Sequence, residues 1–406
     1  MTAGQIQDFI VAVGVLLILG AVMVVSKLSS RRLTPEGSRK TIHLVMGCTA
    51  LAFPYVFTYR QSVVYLGIVA VAALLFMRRN RALRQGIGTA LLGVQRKSLG
   101  DIYFVVAIVL VFLMHHQPFE YLIAIAVLTF ADSIAALIGT SYGRYNMAGH
   151  AEEAAKSREG SVMFFIVAFM CALIPLQLMT DIGRPEVLVI SFLIGILAAM
   201  IEAVTRNGND NLLLPLFTYS FLRYNIYQPL EQLLVNVGMM LVFLAAIFVV
   251  YKMTNLTRLS IAYTLLAAYI ILIQGGLAWI LPGAVLFLSF GVLPKMTKAE
   301  KSMVQTYKAI ESNVIVGIIC VMAAVFFPAY RQLLYVSFSL SFAMHLAINT
   351  YSRLVNFHGK KAGAAAVLGF AKATVFIALP GLIIAQVWWV VAATYLALVA
   401  VALAFA

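Results

Sequence analysis

The chain has 406 residues, of which 63% are hydrophobic and only 11% charged, and its net charge is +14. So few charges cannot cover the surface of a soluble domain of that size, so the composition excludes an ordinary globular protein and predicts an all-α, polytopic integral membrane protein. In hydrocarbon every backbone polar group must be satisfied within its own segment, which leaves helices as the spanning elements.

About 20 apolar residues cross the ~30 Å hydrocarbon core. Phe9–Val25, Leu233–Val250 and Val387–Ala406 are runs of this kind. About fifteen spans are expected, centred near residues 17, 51, 70, 107, 129, 170, 195, 219, 241, 267, 284, 320, 341, 373 and 396. The start, MTAGQIQDF, lacks the basic region of a cleaved signal, so the first run is expected to remain as a span. One set of alternate loops collects the cations: Lys27, Arg31, Arg32, Arg39 and Lys40, then Arg78 to Lys97, Arg144 to Arg158, Arg206, Lys252, Arg258, Lys295 to Lys308, and Arg353 to Lys361. The opposite set holds Arg60, Arg184, Arg223 and Arg331. Positive loops stay cytoplasmic, which predicts an N-terminus outside, a C-terminus inside and attraction to membrane lipids. That distribution explains the basic charge without nucleic acid. Segment 78–99 reads equally as an interfacial helix or a solvated loop.

The first chemically suggestive motif is R-K-x-x-H, formed by Arg39, Lys40 and His43 at the cytoplasmic mouth of the second span. Asp132 follows AVLTFA inside the fifth span, and Asp132, Ala135, Gly139 and Gly143 form D-x-x-A-x-x-x-G-x-x-x-G. Small residues on that stripe let backbone or ligand approach closely. Lys156, Ser157, Glu159, Gly160 and Ser161 form K-S-x-E-G-S at a helix start, where free N–H groups and a lysine suit a phosphate. Glu202 lies inside the seventh span, and Asp210, Asn211 and Pro215 follow it at the mouth of the eighth. A carboxylate within a span costs roughly 2.5–3.5 kcal/mol on insertion scales, so its default reading is functional.

Of the 15 carboxylates, Asp8, Glu120, Asp181, Glu186 and Glu231 fall near outer span ends, where a solvated role suffices. Glu36, Asp101, Glu152, Glu153 and Glu300 read as cytoplasmic loop residues, and Glu311 begins a span. Cys48, Cys171 and Cys320 show no metal or redox spacing and read as small buried hydrophobes.

Phosphoryl transfer needs cations against a triphosphate, carboxylates to hold a divalent metal, and an orienter for the attacking hydroxyl. Asp132, Glu159, Glu202 and Asp210 are the candidate ligands of Mg²⁺ or another divalent cation, which takes few protein ligands. No P-loop and no protein-kinase catalytic loop is present. At these motifs the chain resembles the polyprenol kinase family: phytol kinase, farnesol kinase and the CTP-using domain of dolichol kinase. The resemblance covers roughly residues 30–225. It implies transfer of the γ-phosphate of CTP to the hydroxyl of an isoprenoid alcohol. By carry-over, Asp132, Glu202, His43 and Asp210 would be catalytic, and Arg39, Lys40, Gly139, Gly143, Lys156, Ser157, Glu159, Gly160 and Asn211 would line the nucleotide site. Some relatives carry a carboxylate or glycine beside Asp132, where this chain has Ala131 and Ser133.

Two domains are expected, 1–230 with the motifs and 231–406 as an accessory or degenerate membrane domain. The second more faintly resembles a phytyl-phosphate kinase-like family, through GGLAWILPG, Ser312-Asn313-Val314 and Asn349-Thr350-Tyr351, with Asn349 where that family has Asp. A phosphatidate cytidylyltransferase lacks its usual Lys-Asp and Asp-Arg-x-Asp signatures here. An ion-coupled transporter should show paired broken helices, and no such repeat is visible.

Overall fold

A computed structural model describes residues 2–29, 35–86, 88–89, 98–142, 157–206, 208–253, 257–291 and 307–386. Among them all regular structure is helical. Eight of the described helices are long and apolar enough to cross a membrane: Ala3–Leu28, Arg60–Arg79, Pro118–Tyr142, Arg158–Met179, Arg184–Val204, Leu230–Ile247, Pro328–His358 and Ala362–Ala385. The expected number of spans was larger. Each expected centre up to residue 373 does fall in or at the end of a helix. Those near 107, 267, 284 and 320, however, belong to shorter apolar helices. The helices near 51 and 219 carry several polar residues, and the stretch around 396 lies outside the described residues.

Two compact units divide the chain, Met1–Leu234 and Val235–Ala406. The first contains α1 (Ala3–Leu28), α2 (Pro35–Leu51), α3 (Arg60–Arg79), α4 (Gly100–Met114), α5 (Pro118–Ala126), α6 (Asp132–Tyr142), α7 (Arg158–Met179), α8 (Arg184–Val204) and α9 (Asp210–Asn225). Their starts follow from local chemistry. Thr2 and Gln5 form a capping box, Pro118 opens α5 beside the Gln117–Glu120 box, and Ser157 caps α7. Between α5 and α6 the helix widens into a π turn, Val127–Ala131, against which α2, α7 and α9 pack. Val127, Leu128, Thr129 and Ala131 are fully buried there.

One end of this unit is fastened by buried polar groups. Asp8 accepts from the N–H groups of Thr58 (2.8 Å) and Tyr59 (2.9 Å). Glu120 is 0% exposed; it accepts from His116 N (2.8 Å) and from the Arg223 guanidinium (3.0 Å). Arg60 donates to the carbonyls of Leu113 and His115, and Tyr219 to that of Met114. This corrects the expectation that Asp8 and Glu120 are solvated. Both satisfy backbone or guanidinium donors at helix ends. Cys48 is also exposed rather than buried.

The second unit holds most of α10 (Leu230–Met253), then α11 (Arg258–Gly275), α12 (Leu277–Gly291), α13 (Tyr307–Phe326), α14 (Arg331–His358), α15 (Ala362–Ala373) and α16 (Leu379–Ala385). Trp279 packs on Tyr335 (5.1 Å between ring centres) and Phe338 (5.0 Å). A Cβ on Gly369 would stand 2.8 Å from the Ala347 carbonyl oxygen, so α15 and α14 touch through backbone.

Candidate active site

Asp132 is the first residue after the π turn, and its side chain is 7% exposed. Lys40 and His43 sit one turn apart on α2 and so share a face. Lys40 Nζ lies 2.5 Å from Asp132 Oδ1 and also donates to the Asp132 backbone carbonyl (3.3 Å). His43 Nε2 is 3.6 Å from Asp132 Oδ2 and 3.2 Å from the Leu128 carbonyl oxygen. Arg39 adds a second positive charge within electrostatic range of Asp132. Gly47, one turn beyond His43, presses against Thr129, and a Cβ there would collide with the threonine side chain.

Glu202 lies near the end of α8, and Asp210 is the first residue of α9. With Asp132 they each offer a carboxylate oxygen, and these three oxygens all lie within 4.8 Å of one another. Asp132 is buried, and Glu202 and Asp210 are partly so. The start of α9 is set by two contacts. Asn211 Nδ2 donates to the Gly100 carbonyl (2.7 Å), so its amide fastens α9 to α4. Gly208 holds φ +83°, where a Cβ would stand 2.7 Å from Gly100 Cα; only glycine allows that approach without strain. Arg78 pairs with Asp101 and donates to the Ser98 carbonyl (2.7 Å), which anchors the start of α4.

The third strand of the motif set arrives on α7. Ser157 Oγ accepts from Gly160 N (3.1 Å). A Cβ on Gly160 would be 3.1 Å from the Ala135 carbonyl and 3.4 Å from Gly139 Cα. The glycines therefore let the start of α7 cross directly over the Asp132 helix. Glu159 stands in the first turn of α7 and is not among the three clustered carboxylates. Lys156 and Gly143 lie outside the described residues. Two groups had no sequence signal. Among the described residues, Thr129 Oγ1 and Ser133 Oγ are buried with no hydrogen-bond partner, three residues before and one after Asp132.

At 4.8 Å and an effective dielectric of ~20, two unit charges repel by about 3.5 kcal/mol. Three carboxylates held this close need positive charge. Lys40 and Arg39 supply part of it, and an all-oxygen donor set suits a hard divalent cation such as Mg²⁺. The neighbouring lysine and capped helix start are groups that hold phosphate oxygens.

No family model matches the chain, and no solved structure matches it. The chain is similar to the phytol kinase of Synechocystis sp. (strain ATCC 27184 / PCC 6803 / Kazusa). The two are 29% identical over 205 residues, which is 49% of this chain and 84% of that relative. This similarity supports a relationship to the phytol and polyprenol kinases.

Proposed function

We propose that the protein is a membrane lipid-alcohol kinase that transfers the γ-phosphate of CTP to the hydroxyl of an isoprenoid alcohol, such as phytol, geranylgeraniol, farnesol or a dolichol-like polyprenol. The observation that carries this reading is the convergence of Asp132, Glu202 and Asp210 within 4.8 Å, beside Lys40 and the α7 start. Its similarity to a phytol kinase supports the same class of reaction. Asp132, Glu202 and Asp210 would hold Mg²⁺ or a related divalent cation, which would neutralise phosphate charge. Lys40, Arg39, Lys156 and the Ser157-to-Gly160 turn would face the phosphates. Glu159 would stand at their edge. The alcohol oxygen attacks the γ-phosphorus, the bond to the β,γ-bridging oxygen breaks, CDP leaves, and a carboxylate of the cluster accepts the hydroxyl proton. The charge asymmetry of the loops supports a cytoplasmic site with the N-terminus outside. Residues 231–406 would form an accessory domain that packs, or shelters the lipid tail.

The test incubates purified protein in lipid with CTP, ATP, GTP or UTP and a panel of phytol, geranylgeraniol, farnesol and long polyprenols. Divalent-dependent formation of an alkyl monophosphate with CTP supports the proposal. Formation of CDP-diacylglycerol from phosphatidic acid, with no alkyl phosphate, would replace it with cytidylyl transfer.

A further inference from the structure

We infer that His43 is a positioning residue, whose Nε2–H holds the Leu128 carbonyl of the π turn and so sets where Asp132 stands in the carboxylate cluster. The inference rests on the reading of that cluster as the phosphoryl-transfer site. A carbonyl oxygen only accepts hydrogen bonds, so at 3.2 Å the imidazole donates from Nε2. In the neutral ring the acceptor nitrogen is then Nδ1, and Nε2 has no lone pair to take a substrate proton. The 3.6 Å gap to Asp132 Oδ2 is longer than a hydrogen bond, so the same N–H leans on the carboxylate while bonding the carbonyl. The ring plane is itself fixed by Phe104, whose ring centre is 4.2 Å away.

The object being held is a π turn, a wide and rare helical turn that occurs often at functional sites. Leu128 is its second residue, four before Asp132. One face of α2 grips this turn at successive positions. Lys40 takes the Asp132 carbonyl and carboxylate, His43 the Leu128 carbonyl, and Gly47 the side chain of Thr129. One turn further, the Ala50 carbonyl accepts from Tyr121 OH (3.0 Å). Spacings of three, four and three residues keep all four positions on one side of a helix. The helix α2 thus acts as a ruler that fixes the π turn, and with it the carboxylate one residue beyond.

Glutamine discriminates positioning from chemistry, because its amide N–H reaches about as far as Nε2 and cannot act as a base. Asparagine reaches only to the position of Nδ1. Full-length His43→Gln, His43→Asn and His43→Ala are compared with the parent in lipid nanodiscs. Three readings are taken: CTP-dependent phosphorylation of the alcohol, Mn²⁺ affinity, and the thermal midpoint without metal. We expect His43→Gln to keep turnover within about fivefold and to match the parent in midpoint and Mn²⁺ affinity. His43→Ala and His43→Asn leave a buried carbonyl without its donor, and each loses roughly tenfold or more in turnover and in Mn²⁺ affinity. Gly47→Val, which wedges α2 from Thr129, produces the same double loss with His43 intact. If His43→Gln were as inactive as His43→Ala while both bound Mn²⁺ like the parent, the imidazole would be taking part in chemistry and the inference would fall. If the parent phosphorylated no alcohol, the kinase reading would fail separately. The order of midpoints, with glutamine above asparagine and alanine, would still support the positioning role, and equal midpoints would overturn it.

Discussion

Replacing Glu202 with glutamine removes one charge from the carboxylate cluster but keeps the side chain's length and hydrogen-bonding reach. Its oxygen lies within 4.8 Å of those of both Asp132 and Asp210, so the two repulsions it makes amount to about 7 kcal/mol at an effective dielectric of ~20. Partial exposure of Glu202 and Asp210 and the charge of Lys40 at 2.5 Å from Asp132 screen most of this, leaving a relief of roughly 1–2 kcal/mol. For a unit of this size that corresponds to a rise of roughly 2–8 °C in the metal-free thermal midpoint. With saturating Mg²⁺ this advantage of the variant is cancelled. A ligand that binds only the folded state stabilises by its affinity, and a site short of one carboxylate binds at least about tenfold more weakly, a deficit of roughly 1.4 kcal/mol. Thermal unfolding in nanodiscs, with chelator and with Mg²⁺, reads both arms. Equal stabilisation of the parent and Glu202→Gln by Mg²⁺ would refute the argument that this carboxylate holds the cation.

Three further outcomes follow from the packing. Gly160→Leu forces a side chain against the Ala135 carbonyl and should destabilise by about 1–3 kcal/mol, read as a lower midpoint together with weaker nucleotide binding. Glu120→Ala leaves the Arg223 guanidinium and two backbone donors without their acceptor. It should cost about 3 kcal/mol while Mg²⁺ affinity stays at the parent value, because Glu120 and Asp132 stand roughly 18 Å apart along one helical path. Asn349→Ala combined with Lys372→Ala, which removes the lysine within the apolar helix α15, should leave phosphorylation active, and loss of turnover in the folded double variant would bring the second unit into the reaction.

How far the sequence reveals this arrangement depends on the range of the forces involved. Asp132 was legible because a carboxylate within AVLTFAD is costly in an apolar run and needs a partner, and Lys40 was legible as part of R-K-x-x-H. Their meeting, across 92 residues, follows from motif order and not from local pattern. Glu120 and Asp8 were misread because position near a span end suggests water. Besides the local N–H groups of His116 and Gln117, Glu120 is held by Arg223, 103 positions away, and Asp8 by Thr58, 50 positions away, and no periodicity reports those long-range contacts. The π turn left no trace either. Shifting the backbone ladder by one residue changes no composition, so AVLTFADS reads as one uninterrupted helix. Asn211 is expected at the nucleotide, and its amide also holds the Gly100 carbonyl, a contact set by the left-handed Gly208 just before α9. Fewer described helices than expected spans are long enough to cross a membrane, because apolar helices such as Gly100–Met114 stop short, and hydropathy alone does not mark where they stop.

The most direct measurement follows the label. Purified parent protein and Asp132→Asn, both shown to be folded in the same nanodiscs, are given phytol with Mg²⁺ and either γ-labelled or α-labelled CTP. The account predicts that γ-label enters the alcohol, that α-label never does, and that Asp132→Asn lowers the rate by at least about a hundredfold, the loss of some 3 kcal/mol of transition-state stabilisation. Near-parental turnover by Asp132→Asn, or α-label in the lipid product, would contradict it.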